Sequence, residues 1–190
     1  MKCELNPRLS SGDWKEFCSR FHFPLEELPN IQAIYKALLP LMESYAYYSL
    51  NQDLKEVSFS HYAYGFVTLG NGMDELSELY LNHEQIQEAY IVDCISLMLL
   101  SKAYEEFAHV VEEQSGLYLT ELSFLGDTYS LDLLPQIYEQ LAPDTIQLTE
   151  GQMLRPLKTA TLILHLDTET HADVKQLCNC LLYTSDAADE

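Results

Sequence analysis

Roughly thirty consecutive residues without glycine or proline, Glu84 to Glu113, set the scale of any fold this chain adopts. The run reads as one long helix, which at roughly 1.5 Å per residue reaches across a small domain. At about 100° per residue, Asp93, Leu97, Leu100, Tyr104, Phe107 and Val111 share one stripe. Glu88, Lys102, Glu106, His109 and Glu113 lie off it. Asp93 is thus predicted to sit on an apolar face, where a carboxylate needs a partner or must be neutralised. Apolar side chains nearly encircle the segment between Ala89 and Leu100, which places the helix at the domain centre rather than on its surface.

The flanking sequence alternates helices with strands. Asp13 is placed to cap a helix from Trp14 to Phe21, and Asn30 to cap one that begins near Ile31 and meets a boundary at Pro40. Tyr45, Tyr47 and Tyr48 read as core or interface packing, and Asn51 to Lys55 as a loop. A β-branched and aromatic strand from Phe59 to Leu69 runs into Gly70, Asn71 and Gly72, followed by a helix from Met73 to Leu81. After the long helix, Gly116 is placed as its cap, followed by a strand at Leu117 to Phe124 and a turn at Gly126 and Asp127. A helix over Leu131 to Leu141 starts by Leu134 because of Pro135. Ile146 to Leu148 is extended, Thr149 caps a helical turn through Met153, and Thr159 to Leu166 is a strand. The alternation predicts an α+β fold with helices packed on a sheet.

A formal charge of −20, spread along the chain, argues against nucleic acid and anionic membrane surfaces as partners. No apolar run approaches the roughly 18 residues of a membrane span. The start MKCELNPRLSSGDW lacks the apolar core of a signal peptide, so a cytoplasmic location is expected. Cys3, Cys18, Cys94 and Cys178 lack the spacing of a disulfide framework and read as reduced thiols, with Cys94 a small core residue. The final CLLYTSDAADE, Cys180 to Glu190, resembles the in-frame translation of a transposon-end sequencing adapter and is set aside as an artefactual or disordered tail. One domain over residues 1–179, truncated at its C-terminus, is the expectation.

Few residues carry a chemical signature. The strand, GNG turn and helix could offer backbone N–H groups to an anion, but the dinucleotide fingerprint needs a third glycine and a distant acid, so the turn reads as ordinary turn chemistry. Glu106 and His109 share a helix face at a spacing used in metal-binding bundles, yet no second such pair is present. His165 reads as structural. No HExxH, GxSxG, paired CxxC or phosphate-binding GxxxxGK occurs.

Three blocks together resemble the activation domain of cobalamin-dependent methionine synthase in its free-standing form. VTLGNGMDELSELY, Val67 to Tyr80, is similar to a strand, glycine turn and helix near the front of that family. AYIVDCISLMLLSKAYEEFA, Ala89 to Ala108, is similar to its central helix, in which an aspartate is followed about a dozen residues later by a glutamate. FLGDTYSLDLLPQIYEQLAPDTIQLTEGQMLRPLKTATLIL, Phe124 to Leu164, resembles its glycine turn, short helix, LTE step and final strand. The resemblance implies a helmet-like α+β domain, a twisted antiparallel sheet flanked by helices with one long central helix. It implies S-adenosylmethionine as a ligand and cobalamin carried by a partner, either cobalamin-dependent methionine synthase or another corrinoid protein, with an electron-donor protein as a further partner. The chain would then be an accessory module of a methyltransferase, supporting reductive remethylation, rather than a self-sufficient enzyme.

The departures bear on the ligand. Where the family grips its methyl donor with an arginine, two residues, then Pro, Gly and Tyr, this sequence has Leu122, Leu125, Gly126 and Asp127. Leucine in place of arginine removes a bidentate partner for the ligand carboxylate. Aspartate in place of tyrosine adds repulsion, and the tyrosine expected in the last strand is Leu164. Glu105 and Gly126 are the donor-site residues the resemblance carries over, with Asp93 in support. Two alternatives stand beside this reading. One is a noncatalytic interaction protein on the same fold with a lost ligand site, its acidic helices such as Asp74 to Glu78 meeting a basic partner. The other is a redox or metal protein whose cysteine cluster lay beyond Cys178.

Overall fold

A computed structural model describes residues 1–50, Leu54, Val57 and 60–169. Cys178, the CLLYTSDAADE segment, Phe59 and most of the expected loop at Asn51 to Lys55 lie outside the described residues. In chain order the elements are β1 (Lys2–Glu4), α1 (Asp13–Arg20), α2 (Leu28–Leu38), β2 (Tyr45–Ser49), β3 (Tyr62–Thr68) and α3 (Gly72–Asn82). They continue with α4 (Ile86–Ser115), β4 (Tyr118–Phe124), α5 (Leu134–Leu141), β5 (Gln147–Leu148), β6 (Leu154–Arg155) and β7 (Thr159–Asp167). Five strands form one antiparallel sheet in the order β1-β2-β3-β7-β4, and β5 and β6 form a separate hairpin. The fold is α+β, as the sequence pattern predicts.

The sheet is covered on both faces, and strand alternation assigns each side chain to one of them. Ala63 and Val67 of β3 and Leu162, Leu164 and Leu166 of β7 join the core beneath α4. Tyr64, Phe66 and Ile163 point the other way, into a second core closed by Leu134 and Ile137 of α5. Leu119 and Leu122 of β4 are three residues apart yet enter the same core. A register shift between Leu119 and Glu121 reconciles them, since one extra residue exchanges the faces of a strand.

α4 starts and ends two residues later than the expected Glu84 to Glu113. Gly116 ends it in the left-handed region at φ 69°, donating its N–H to the Glu112 carbonyl at 2.9 Å. The helix packs against β3 and β4. The Tyr104 ring meets the Phe124 ring at 5.4 Å, and the Glu112 carboxylate accepts the Leu119 N–H at 2.8 Å.

Several boundaries differ from the sequence expectation. Asp13 opens α1 from within and accepts the Ser10 N–H rather than capping. Asn30 also lies inside its helix, because α2 starts at Leu28 with Pro29 in the first turn, where a missing N–H costs nothing. Thr149 closes the β5–β6 hairpin: its N–H donates to the Met153 carbonyl and its hydroxyl accepts the Met153 N–H. The GNG turn has a packing origin. Gly70 takes φ 81°, and a Cβ on Gly72 would overlap the Leu41 carbonyl. Gly72→Ala is therefore expected to cost about 1–3 kcal/mol. Gly12→Ala, whose added carbon meets only the Ser10 hydroxyl at 3.7 Å, is expected to change little, and urea midpoints of the two variants check the contrast.

Candidate functional site

The three candidate ligand residues fall at separate places. Asp93 and Glu105 stand twelve positions apart on α4, hence about 18 Å along its axis and roughly 120° around it. Asp93 is not on the buried face. Its side chain is 52% exposed and its carboxylate pairs with the Lys158 ammonium at 2.9 Å. In this half of the helix the outer strip is Ile86, Tyr90, Asp93 and Leu97, all exposed. The other directions are buried against the sheet and the neighbouring helices. Periodicity cannot choose a face where apolar residues occur on nearly every side, and the stripe through Leu100, Tyr104, Phe107 and Val111 is buried only from Leu100 onward.

Glu105 is half-buried and pairs with Lys102 at 3.3 Å. Lys102 also reaches Asp13 at 3.8 Å, tying α4 to α1. Burial acts against the Asp13 charge, but hydrogen bonds from Ser10 and the nearby Lys102 ammonium outweigh it and hold the carboxyl below its usual range. Gly126 lies past β4 at φ 92°, with its N–H donating to the Tyr129 carbonyl at 2.7 Å. Asp127 beside it is exposed.

Leu122 and Leu164, where the resemblance would expect an arginine and a tyrosine, are register partners across β4 and β7. Both are buried, at 8% and 0% exposure, in the core beneath α4. This place is filled by apolar packing.

An open cleft of about 350 Å³ adjoins the Gly126 turn. Phe124, Leu125, Leu131, Leu134, Met153 and Leu157 form its apolar walls, with Gln152, Thr159 and Thr161 as polar contributors. None of its described lining residues is charged, so the lining offers no counter-ion to an amino-acid carboxylate. Glu105 and Asp93 do not line it. A smaller cleft of about 220 Å³ fronts the GNG turn, between Glu43, Tyr45, Asn71, Asp144 and Thr145. Asp144 there is paired with the Lys2 ammonium at 2.9 Å, and the Glu43 carboxylate opposes an anion.

The Glu106 and His109 pair is divided between two tasks. The Glu106 carboxylate accepts the Asn6 N–H at 2.9 and 3.0 Å, and the His109 ring faces Glu112 at 3.5 Å. Among the described residues no group of three His, Cys, Asp or Glu is arranged to hold a metal ion. Cys94 is buried in the core, which pushes its thiol up to about 11.

His165, which reads as structural from the sequence, is a buried polar group in β7 on the sheet face away from α4. His165 is 1% exposed, with Nε2 lying 3.2 Å from the Tyr129 hydroxyl and 3.5 Å from that of Ser123. The Tyr129 ring stacks on it at 5.8 Å. Burial lowers the imidazole pKa and the Glu121 charge opposes this only in part. The unfolded chain therefore takes up the proton first, so this contribution is complete above about pH 6.5 and is lost as pH falls below that value. Urea midpoints measured between about pH 7 and about pH 5 are expected to fall less steeply in His165→Phe than in the parent chain.

Among the described residues no helix is long and apolar enough to cross a membrane. By sequence, no family and no curated protein matches the chain. By structure, it is similar to the MetH reactivation domain bound to AdoHcy, with a TM-score of 0.56 at 11% identity over 90% of this chain and 79% of that one. At that identity the likeness is one of fold: a mixed sheet-and-helix domain built around one long helix.

Proposed function

We propose that this chain is a docking module on the reactivation-domain fold, which engages a cobalamin-carrying methionine synthase or another corrinoid protein and supports its reductive remethylation from a separate polypeptide. The observation that carries this reading is the fold likeness over 90% of the chain. It agrees with three sequence blocks, in family order, that resemble the same domain. An electron-donor protein is part of the proposed cycle, and a cytoplasmic location follows from it.

In this reading S-adenosylmethionine is dispensable for docking. Leu122 and Leu164 pack together where the resemblance puts the donor's arginine and tyrosine, and Glu105 and Asp93 are paired with lysines. Calorimetric titration with S-adenosylmethionine is expected to give a dissociation constant weaker than about 1 mM, or roughly −4 kcal/mol. Micromolar binding would instead mean that the chain keeps a ligand site despite Leu122 and Leu164. Docking itself is tested by size-exclusion chromatography with cobalamin-loaded methionine synthase lacking its own activation domain. Co-elution is the expected result, and separate elution overturns the proposal.

A further inference from the structure

The tip of the α3–α4 hairpin exposes several large apolar side chains, of which Tyr90 packs in part on the Phe23 ring at 5.7 Å. Leu79, Leu81, Ile86 and Tyr90 are 52%, 53%, 70% and 51% exposed. All lie within two helical turns of one tight connection, in which the His83 and Gln85 N–H groups both donate to the Tyr80 carbonyl, at 3.1 and 2.9 Å. Single exposed leucines are unremarkable on a folded surface, but Leu81 and Ile86 exposed on either side of one short connection, with Leu79 and Tyr90 a turn away, mark a place where something else packs.

The rim is acidic. Glu75, Glu78 and Glu84 are exposed and Glu88 is half-buried, and none of the four enters an ion pair among the described residues. The sequence contains no lysine or arginine between Lys55 and Lys102. The other two acids between Asp74 and Asp93 already have partners: Asp74 accepts the Leu157 N–H at 2.7 Å, and Asp93 holds Lys158. Those two contacts fasten the body of the hairpin to the segment entering β7 and leave the tip with the remaining negative charge.

We infer that this tip is a docking surface for a partner protein presenting an apolar patch flanked by lysines or arginines. Such a partner gains twice, from burial of the four apolar side chains and from attraction to the glutamates, which also raises the encounter rate at low salt. A second copy of this chain would bring glutamates against glutamates. The inference is independent of the corrinoid reading, because it uses no residue of β4, β7 or the cleft beside Gly126.

The probe is a synthetic amphipathic helical peptide with leucines on one face and lysines on the other. It is compared with the same peptide carrying glutamates for the lysines, each added to the isotope-labelled full chain. The lysine peptide is expected to shift amide resonances between Glu75 and Tyr90, to weaken as salt is raised, and to bind at least about tenfold less tightly to the Leu81→Ser/Ile86→Ser variant. Both substitutions are at exposed positions, and a Glu78→Gln/Glu84→Gln variant, which leaves the apolar residues intact, is expected to lose the salt dependence. Shifts spread evenly over the acidic surface, equal binding of the glutamate peptide, or self-association through the tip would each overturn the inference. Failure of the chain to join a corrinoid protein while the peptide result holds would count only against the proposed function.

Discussion

Replacing Leu122 with arginine is expected to destabilise the chain by at least about 3 kcal/mol and to leave S-adenosylmethionine binding no tighter than before. If the family arginine were merely missing from an otherwise open site, restoring it would recover a bidentate partner for the ligand carboxylate. The structure gives a different expectation. Leu122 faces the core beneath α4 and pairs with the fully buried Leu164 across the β4–β7 ladder. A guanidinium placed there has apolar neighbours in that core, and a charge buried without a partner is among the few changes that cost several kcal/mol. A lowered urea midpoint together with a flat calorimetric titration checks the prediction. A stable Leu122→Arg variant that binds S-adenosylmethionine would mean that the site is open and only its anchor is lost.

Phe107→Ala is expected to cost about 3–5 kcal/mol. Phe107 is fully buried on α4, and its ring meets Tyr48 of β2 edge-on at 5.4 Å, so it joins the long helix to the sheet. Truncation removes the transfer energy of a large ring and leaves a cavity. A cost of that size is a large share of the roughly 5–15 kcal/mol that stabilises a typical domain. Leu97→Ala, on the same helix but 38% exposed, is expected to cost much less, and equilibrium urea unfolding of the two variants measures the difference. Comparable losses would mean that α4 is not seated on the sheet by the face described.

What could be read from the sequence followed from local chemistry. α4 was legible at its C-terminal end because Gly116 can adopt positive φ there, whereas the run without glycine or proline continues back through α3 to Met73 and does not mark the start. Its orientation was not legible, since Ile86, Tyr90 and Leu97 are apolar yet face outward beside Asp93. β2, with the sequence YAYYS, shows no alternation because Ala46, Tyr47 and Tyr48 are all buried between two cores, so the usual strand signal is absent. β1 is three residues long and draws its definition from pairing with β2. The ion pair of Asp93 with Lys158 joins residues far apart in the chain, and no local pattern announces it. Leu122 and Leu164 stood out only as departures from a resemblance. Their position as neighbours in the sheet turns two separate substitutions into one packed contact.

Sedimentation velocity of this chain with cobalamin-loaded methionine synthase lacking its activation domain, run with and without S-adenosylmethionine, addresses docking and ligand dependence together. A one-to-one complex whose affinity changes by less than about twofold on adding S-adenosylmethionine, roughly 0.4 kcal/mol, is the predicted result. No complex under either condition, or a complex that forms only with S-adenosylmethionine present, would contradict it.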